Sequence, residues 1–188
     1  SSDLHRGRVA VAIADLEQVA VGVEGAGDGG AAEAGGAVAI RAEGLRDIAE
    51  IKKAVSLPIV GLIKLKSENT PVIITPLLEN VYALMEAGVE LIAVDATLRK
   101  RFDGTLGNDF VAQATAIGAQ VLADIDDLES AIAAEKSGAV AVCTTLSGYT
   151  NGPVPEFPDL DLVKSCATNC SVPVIAEGRF NTPELTKE

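Results

Sequence analysis

The feature that most constrains this chain is a regular alternation of short apolar runs with longer segments of helical spacing. The runs are rich in β-branched residues and apolar on both faces, as strands buried in a parallel sheet are. Seven runs are recognised, at 9–14, 37–42, 58–64, 90–97, 119–125, 139–145 and 172–178. Helical segments follow five of them, at 45–55, 77–87, 106–117, 126–137 and 160–168. This alternation predicts an α/β fold built as a (β/α) barrel.

The length sets how much of such a barrel the sequence holds. The chain has 188 residues, of which 48% are apolar, enough for one buried core and one domain spanning 1–188. A complete (β/α)8 TIM barrel has eight strands and usually about 250 residues. We therefore expect a TIM barrel that lacks strand eight in the sequence as given. The Gly- and Ala-rich segment 19–36 yields only a weak helix, at 26–34, because of its glycines.

Charge and composition exclude several functional classes. The formal net charge is −12, which repels phosphate backbones and anionic lipid, so we expect neither nucleic acid nor a membrane surface as partner. No apolar run reaches the roughly 18 residues of a membrane span, and the N-terminus lacks a secretory layout, which favours the cytoplasm. A single histidine leaves little for a metal site, and we predict none.

The chemistry of a βα barrel lies where its strands end, so the residues that close each apolar run are the candidate site residues. Five of the seven runs end on a charge, and each single residue also fits a structural ion pair at the barrel rim. A lysine and a carboxylate that share one partly dry cup can exchange protons near neutral pH, which favours a reactive site. The candidates are Arg41, Lys64, Asp95, Asp124, Thr144, Thr145 and Glu177.

Three loops add weaker signals. Gly178 permits close backbone approach, and Thr182-Pro183 opens a helix whose free N–H groups attract anions, although an ordinary βα turn explains both. The segment 146–150 places hydroxyls after strand six, where they line a sugar or phosphate pocket or form a polar turn. The basic trio 99–101 either steers an anion or is a solvated loop. Asp126, with Glu129 three residues later, predicts a capped helix start.

Read together, the strand ends and loops resemble one enzyme family. The segments that carry the resemblance are GGAVAIRAEG (35–44), PIVGLIK (58–64), ITP (74–76), LIAVDATLRKR (91–101), LADI (122–125), TTLSGYT (144–150) and VIAEGRFNTPE (174–184). They resemble the N-acetylmannosamine-6-phosphate 2-epimerases, from about Gly35 to Glu184. The resemblance implies a (β/α)8 barrel and a homodimer of amino sugar and sialic acid catabolism. It implies a sugar phosphate as substrate and no metal or organic cofactor.

The resemblance also implies roles for individual residues. The catalytic lysine and glutamate of the family fall on Lys64 and Glu177, and its substrate-contacting arginine and strand-five aspartate fall on Arg41 and Asp124. The loop that begins Gly178-Arg179 is then expected beside the phosphate, and Thr145 and Tyr149 are expected to contact substrate.

The chain departs from the family pattern in three places. The polar motif of the first strand is not reproduced by VAVAIADLEQ, and Gln18 does not match its glutamine. The phosphate loop of strand eight is absent from the sequence, and the segment between Asp103 and Ala119 is shorter.

The implied reaction interconverts N-acetyl-D-mannosamine 6-phosphate and N-acetyl-D-glucosamine 6-phosphate by removing a proton at C2 and returning it on the opposite face. Lys64, buried near Arg41, is expected to act on one face and Glu177 to open the ring or act on the other. Which of the two removes the proton stays open. Two alternatives also stay open: another sugar-phosphate isomerase or an aldolase with Lys64 as Schiff base, and an inactive barrel fragment that acts as an interaction module.

Overall fold

The computed structural model describes residues 19–20 and 25–180, and within them the strands form one parallel sheet. Seven strands lie in sequential order, and each pairs with the next: β1 Val19–Ala20, β2 Ala39–Glu43, β3 Ile59–Leu62, β4 Leu91–Asp95, β5 Val121–Asp124, β6 Ala141–Cys143 and β7 Val174–Ile175. An unbroken sequential order is the winding of a barrel, because a doubly wound sheet reverses its strand order part-way. The predicted α/β barrel topology is confirmed.

Six helices connect these strands along the described part of the chain. They are α1 Gly25–Ala34, α2 Leu45–Ala54, α3 Leu78–Glu86, α4 Gly107–Ala116, α5 Leu128–Lys136 and α6 Leu160–Asn169, with a short 3-10 turn at Thr144–Leu146. The apolar stripe of each helix explains this arrangement: in α2, for example, Ile48 and Ile51 are fully buried while Lys52 and Lys53 face solvent. In this part of the chain no helix combines the length and apolar character that crossing a membrane requires.

The strands separate two apolar layers, because successive side chains of a strand point to opposite faces. Ile40, Ile92 and Val121 pack against the helices in the larger layer. The alternate positions form the smaller, interior layer, which includes Val60, Leu122 and Cys143. Residues that continue the interior alternation past the strand ends therefore lie at the rim of the barrel interior.

The predicted helices and strands agree closely with the structure, apart from details near both ends and one cap. The strand beside β2 is Val19–Ala20, which the sequence left unassigned, whereas the weak helix at 26–34 is confirmed as α1. The predicted strand 9–14 and the helix start at Thr182-Pro183 lie outside the described residues. The predicted cap was wrong: α5 begins one residue later than expected, so Asp127 caps it by accepting from the Ser130 amide at 2.7 Å.

Gly107 at the start of α4 packs directly against the backbone of Ala96 and Thr97. A Cβ at this position would lie 2.3 Å from the carbonyl carbon of Ala96. We expect Gly107→Ala to lower the free energy of unfolding by about 1–3 kcal/mol or more in urea denaturation, since backbone atoms have to move. Gly30→Ala is the control, because nothing lies within 4 Å of a Cβ there and alanine favours a helix. Equal stability of the two variants would contradict this packing.

Candidate active site

A buried ion pair joins β2 to β5 across the barrel interior. Arg41 donates from Nη1 to Asp124 Oδ1 at 3.0 Å and from Nη2 to Asp124 Oδ2 at 2.6 Å. Both residues are almost fully buried, at 5% and 0% exposure. Burial raises the pKa of Asp124 to about 6, although the positive charge of Arg41 acts to lower it. The carboxylate is therefore ionised at neutral pH. Burial disfavours the Arg41 charge, but Asp124 and Glu177 outweigh that effect and raise its pKa.

Glu177 follows β7 and faces the same arginine. Its Oε2 lies 3.8 Å from Arg41 Nε and accepts from the Cys143 thiol at 3.2 Å. Burial raises the pKa of Cys143 well above its usual value, so this thiol stays protonated and donates. Thr144 fixes the backbone of Glu177, because its Oγ1 donates to the Glu177 carbonyl at 2.9 Å and accepts from the Glu177 amide at 3.0 Å. The Glu177 side chain is held at the rim and remains 17% exposed.

Thr145 completes this cluster from the end of β6. Its hydroxyl donates to Asp124 Oδ1 at 3.0 Å and lies 3.0 Å from the sulfur of Cys143. The structure thus brings together four of the predicted site residues, Arg41, Asp124, Thr145 and Glu177, in one contiguous network. A guanidinium with fixed carboxylate partners is suited to stabilise an oxyanion at the open side of the rim.

Lys64 lies just past β3 and has a different carboxylate partner. Its Nζ is 2.8 Å from Glu43 Oε2, and the two side chains are 46% and 48% exposed. The expectation of a buried lysine was therefore wrong: β3 ends at Leu62, and Lys64 lies beyond it where solvent reaches the amine. The amine is therefore paired with Glu43 and at the same time accessible to a ligand from solvent.

The two expected catalytic residues contact different residues of the same strand, β2. Arg41 and Glu43 are two residues apart on β2, so alternation places them on the same face about 7 Å apart along the strand. Glu177 contacts the first of them and Lys64 the second. The Lys64 amine and the Glu177 carboxylate therefore border the same stretch of the barrel rim, with Arg41 and Glu43 of β2 between them.

A second group of predicted residues lies at the mouth of the barrel. Gly178 has φ 102 and Arg179 has φ 64, so the chain turns sharply directly after Glu177. Arg179 donates from Nη1 to the Ser147 carbonyl at 2.6 Å and from Nε to the Phe157 carbonyl at 2.7 Å. Its guanidinium lies 5.3 Å from the ring centroid of the half-exposed Tyr149. These contacts tie the segment 147–157 to the residues that follow β7.

Sequence reasoning missed two members of the site. Glu43 was not among the candidates because the predicted apolar run ends at residue 42, one position before it. Its spacing of two from Arg41 is the signal that places it on the interior face. Cys143 carries no sequence signal for contact with Glu177, because that contact forms between residues 34 positions apart.

Comparison with known proteins identifies the family. The model of a family described as "Putative N-acetylmannosamine-6-phosphate epimerase" matches residues 28–188. The chain belongs to this epimerase family. A curated relative from Clostridium perfringens, named "Putative N-acetylmannosamine-6-phosphate 2-epimerase", is 45% identical over 159 residues, which cover 84% of this chain and 72% of the relative. One from Caldanaerobacter subterraneus is 46% identical over 157 residues, covering 82% and 66%.

A solved structure supports the same conclusion. The N-acetylmannosamine-6-phosphate 2-epimerase from Clostridium perfringens superposes with a TM-score of 0.83 at 38% identity, covering 96% of this chain and 83% of that one. The chain is therefore an epimerase-family protein with a TIM-barrel fold. The family match begins at Asp28, so the first strand and the Gly- and Ala-rich start of α1 precede it.

Proposed function

We propose that this epimerase interconverts N-acetyl-D-mannosamine 6-phosphate and N-acetyl-D-glucosamine 6-phosphate, with Lys64 and Glu177 as its catalytic residues. The observation that carries the proposal is the arrangement along β2, where Glu177 contacts Arg41 and Lys64 contacts Glu43 on one face of the sheet. The names of the related proteins supply the substrate. The proposal assigns the chain the activity of an N-acylglucosamine-6-phosphate 2-epimerase.

The chemistry follows from the acidity of the substrate. Once the sugar ring opens, C2 lies next to the C1 aldehyde. A base then removes the C2 proton, and the C–H electron pair becomes the C1–C2 double bond of an enolate whose charge rests on O1. Return of a proton to the opposite face of C2 restores the aldehyde and inverts the centre. Two groups on opposite sides of C2 are needed, which Lys64 and Glu177 supply.

The remaining site residues have supporting roles in this proposal. Arg41 stabilises the enolate oxygen, the electrostatic contribution that usually lowers such a barrier most. Asp124 fixes the guanidinium through two hydrogen bonds, and Thr145 holds Asp124 in turn. Gly178 and Arg179, whose turn lies directly after Glu177, and Tyr149, which packs against Arg179, border the place assigned to the substrate phosphate.

The decisive experiment is an NMR assay of N-acetylmannosamine 6-phosphate in heavy water. We expect conversion to the glucosamine epimer with deuterium incorporated at C2, because the proton that returns comes from a group in exchange with solvent. Unchanged substrate with no label at C2 would refute the function. Borohydride treatment addresses the aldolase alternative: trapping of substrate on Lys64 would favour a Schiff base, whereas the epimerase route forms none.

A further inference from the structure

The basic trio in the loop after β4 is not the solvated patch that its charge suggests. Lys100 is exposed, but Arg99 donates to Asp95 Oδ2 at 2.6 Å, and Arg101 is only 3% exposed. A charged guanidinium is costly to bury unless its donors are used. Anion steering therefore does not explain why Arg101 is buried. Its contacts with neighbouring residues explain it.

Arg101 connects two loops at the rim. It donates from Nη1 to the Asp95 carbonyl at 2.7 Å and from Nη2 to the Thr75 carbonyl at 2.8 Å. The guanidinium carbon lies 3.6 Å from the ring centroid of Phe110. Among the described residues Nε has no hydrogen-bond partner. Burial lowers the pKa of Arg101 to about 10, although the negative charges of Asp95 and Asp103 act to raise it. The guanidinium is therefore still cationic at neutral pH.

Thr75, the acceptor of that contact, has an unusual backbone. It is fully buried with φ 44, a left-handed conformation that β-branched residues rarely adopt. Its hydroxyl donates to the Ala93 carbonyl at 2.6 Å, and its amide donates to the Ile63 carbonyl at 2.7 Å. Strain of this kind persists only where neighbouring contacts impose it, and it is frequent at functional sites.

The segment 73–75 in turn holds the chain on both sides of Lys64. Lys64 and Ile74 form an antiparallel bridge. Ile63 accepts from the Thr75 amide, and Leu65 donates to the Ile73 carbonyl at 3.0 Å. The backbone of Lys64 is thus fixed by a segment whose left-handed residue is held by Arg101.

We propose that Arg101 is a positioning residue for Lys64, acting by fixing Thr75 in the left-handed conformation and so fixing the backbone on both sides of the lysine. The inference rests on the proposed function, in which Lys64 acts at C2 of the substrate. Substrate binding by Arg41 and by the turn after Glu177 does not pass through this contact. Loss of Arg101 therefore impairs the chemical step more than it impairs binding.

The test compares Arg101→Met with Lys100→Met, which removes a neighbouring charge whose side chain is exposed. We expect Arg101→Met to lower kcat by at least about tenfold with KM changed by less than about threefold, since a small misplacement of a reacting group is costly. Hydrogen exchange at the Leu65 and Thr75 amides is expected to accelerate by at least about tenfold, as their segment opens locally. Lys100→Met is expected to leave all three quantities near the wild-type values. A kcat within about twofold of wild type, or an increase of KM alone, would overturn the inference.

A second variant covers the case in which Arg101→Met does not fold. Arg101→Lys keeps the charge, but one ammonium cannot reproduce the two-armed donation to both carbonyls, so smaller changes in the same direction are expected. If the wild type shows no epimerisation, the proposed function fails, and amide exchange still tests the positioning contact. Unchanged exchange at Leu65 and Thr75 in folded Arg101→Lys would overturn it independently of substrate.

Discussion

Replacing Lys64 or Glu177 by alanine is expected to lower the turnover of N-acetylmannosamine 6-phosphate by at least about a hundredfold. In the proposed mechanism each variant removes one of the two groups that move protons at C2. Both variants leave the two hydrogen bonds between Arg41 and Asp124 in place, although Glu177→Ala removes the second carboxylate beside Arg41. The measurement is initial rates of conversion together with deuterium incorporation at C2.

Matched variants separate chemistry from charge. Lys66→Ala removes an exposed lysine two residues further along, and Glu129→Ala removes an exposed carboxylate on α5. Both are expected to retain turnover within about twofold of wild type, as surface changes away from a site usually do. Glu177→Gln keeps the side-chain shape and an acceptor for Cys143, yet it cannot accept a proton as a carboxylate does. Near-normal conversion to the epimer in Lys64→Ala or Glu177→Gln would remove that residue from the mechanism.

The second large effect concerns the buried ion pair. Asp124→Ala is expected to lower the free energy of unfolding by about 3–5 kcal/mol, because it leaves the Arg41 charge buried without its two-armed partner. Glu177 offsets only part of this loss, since it lies 3.8 Å from Nε. Urea denaturation of the wild type and the variant measures the difference.

A double variant distinguishes stability from function at this pair. Replacing both residues by apolar ones, Arg41→Met with Asp124→Leu, is expected to recover most of the lost stability, because no unpaired charge remains buried. It is expected to stay inactive, since the guanidinium that the proposed mechanism assigns to the enolate oxygen is gone. A loss below about 1 kcal/mol in Asp124→Ala would show that water reaches Arg41 and that the pair is not buried as described.

The repeating units of the fold could be predicted because they depend on local pattern. Runs such as 90–97 and 119–125 are apolar on both faces, a pattern that suits only strands covered on both sides. Most predicted helices begin and end within about two residues of the observed ones, as expected where apolar spacing is regular. The first strand of the described sheet escaped prediction, since Val19–Ala20 lies in a segment of small residues without a distinct period.

The site was predictable only in part. Because parallel strands place their carboxyl ends at one rim, the sequence indicated Arg41, Asp124 and Glu177 as neighbours, and the structure joins them. The same argument placed Lys64 at the rim but could not give its partner. Glu43 is the partner of Lys64, because the strand register pairs Glu43 with Leu62, two residues before the lysine.

What the sequence by itself determined is the succession of strands and helices and the set of residues that end each strand, since both follow from side-chain periodicity. What only the tertiary structure decided is which of those residues are paired, buried or strained. The contacts between Cys143 and Glu177 and between Arg101 and Thr75 join residues 34 and 26 positions apart. Distances of this kind are set by strand register and loop packing, which no local pattern of residues specifies.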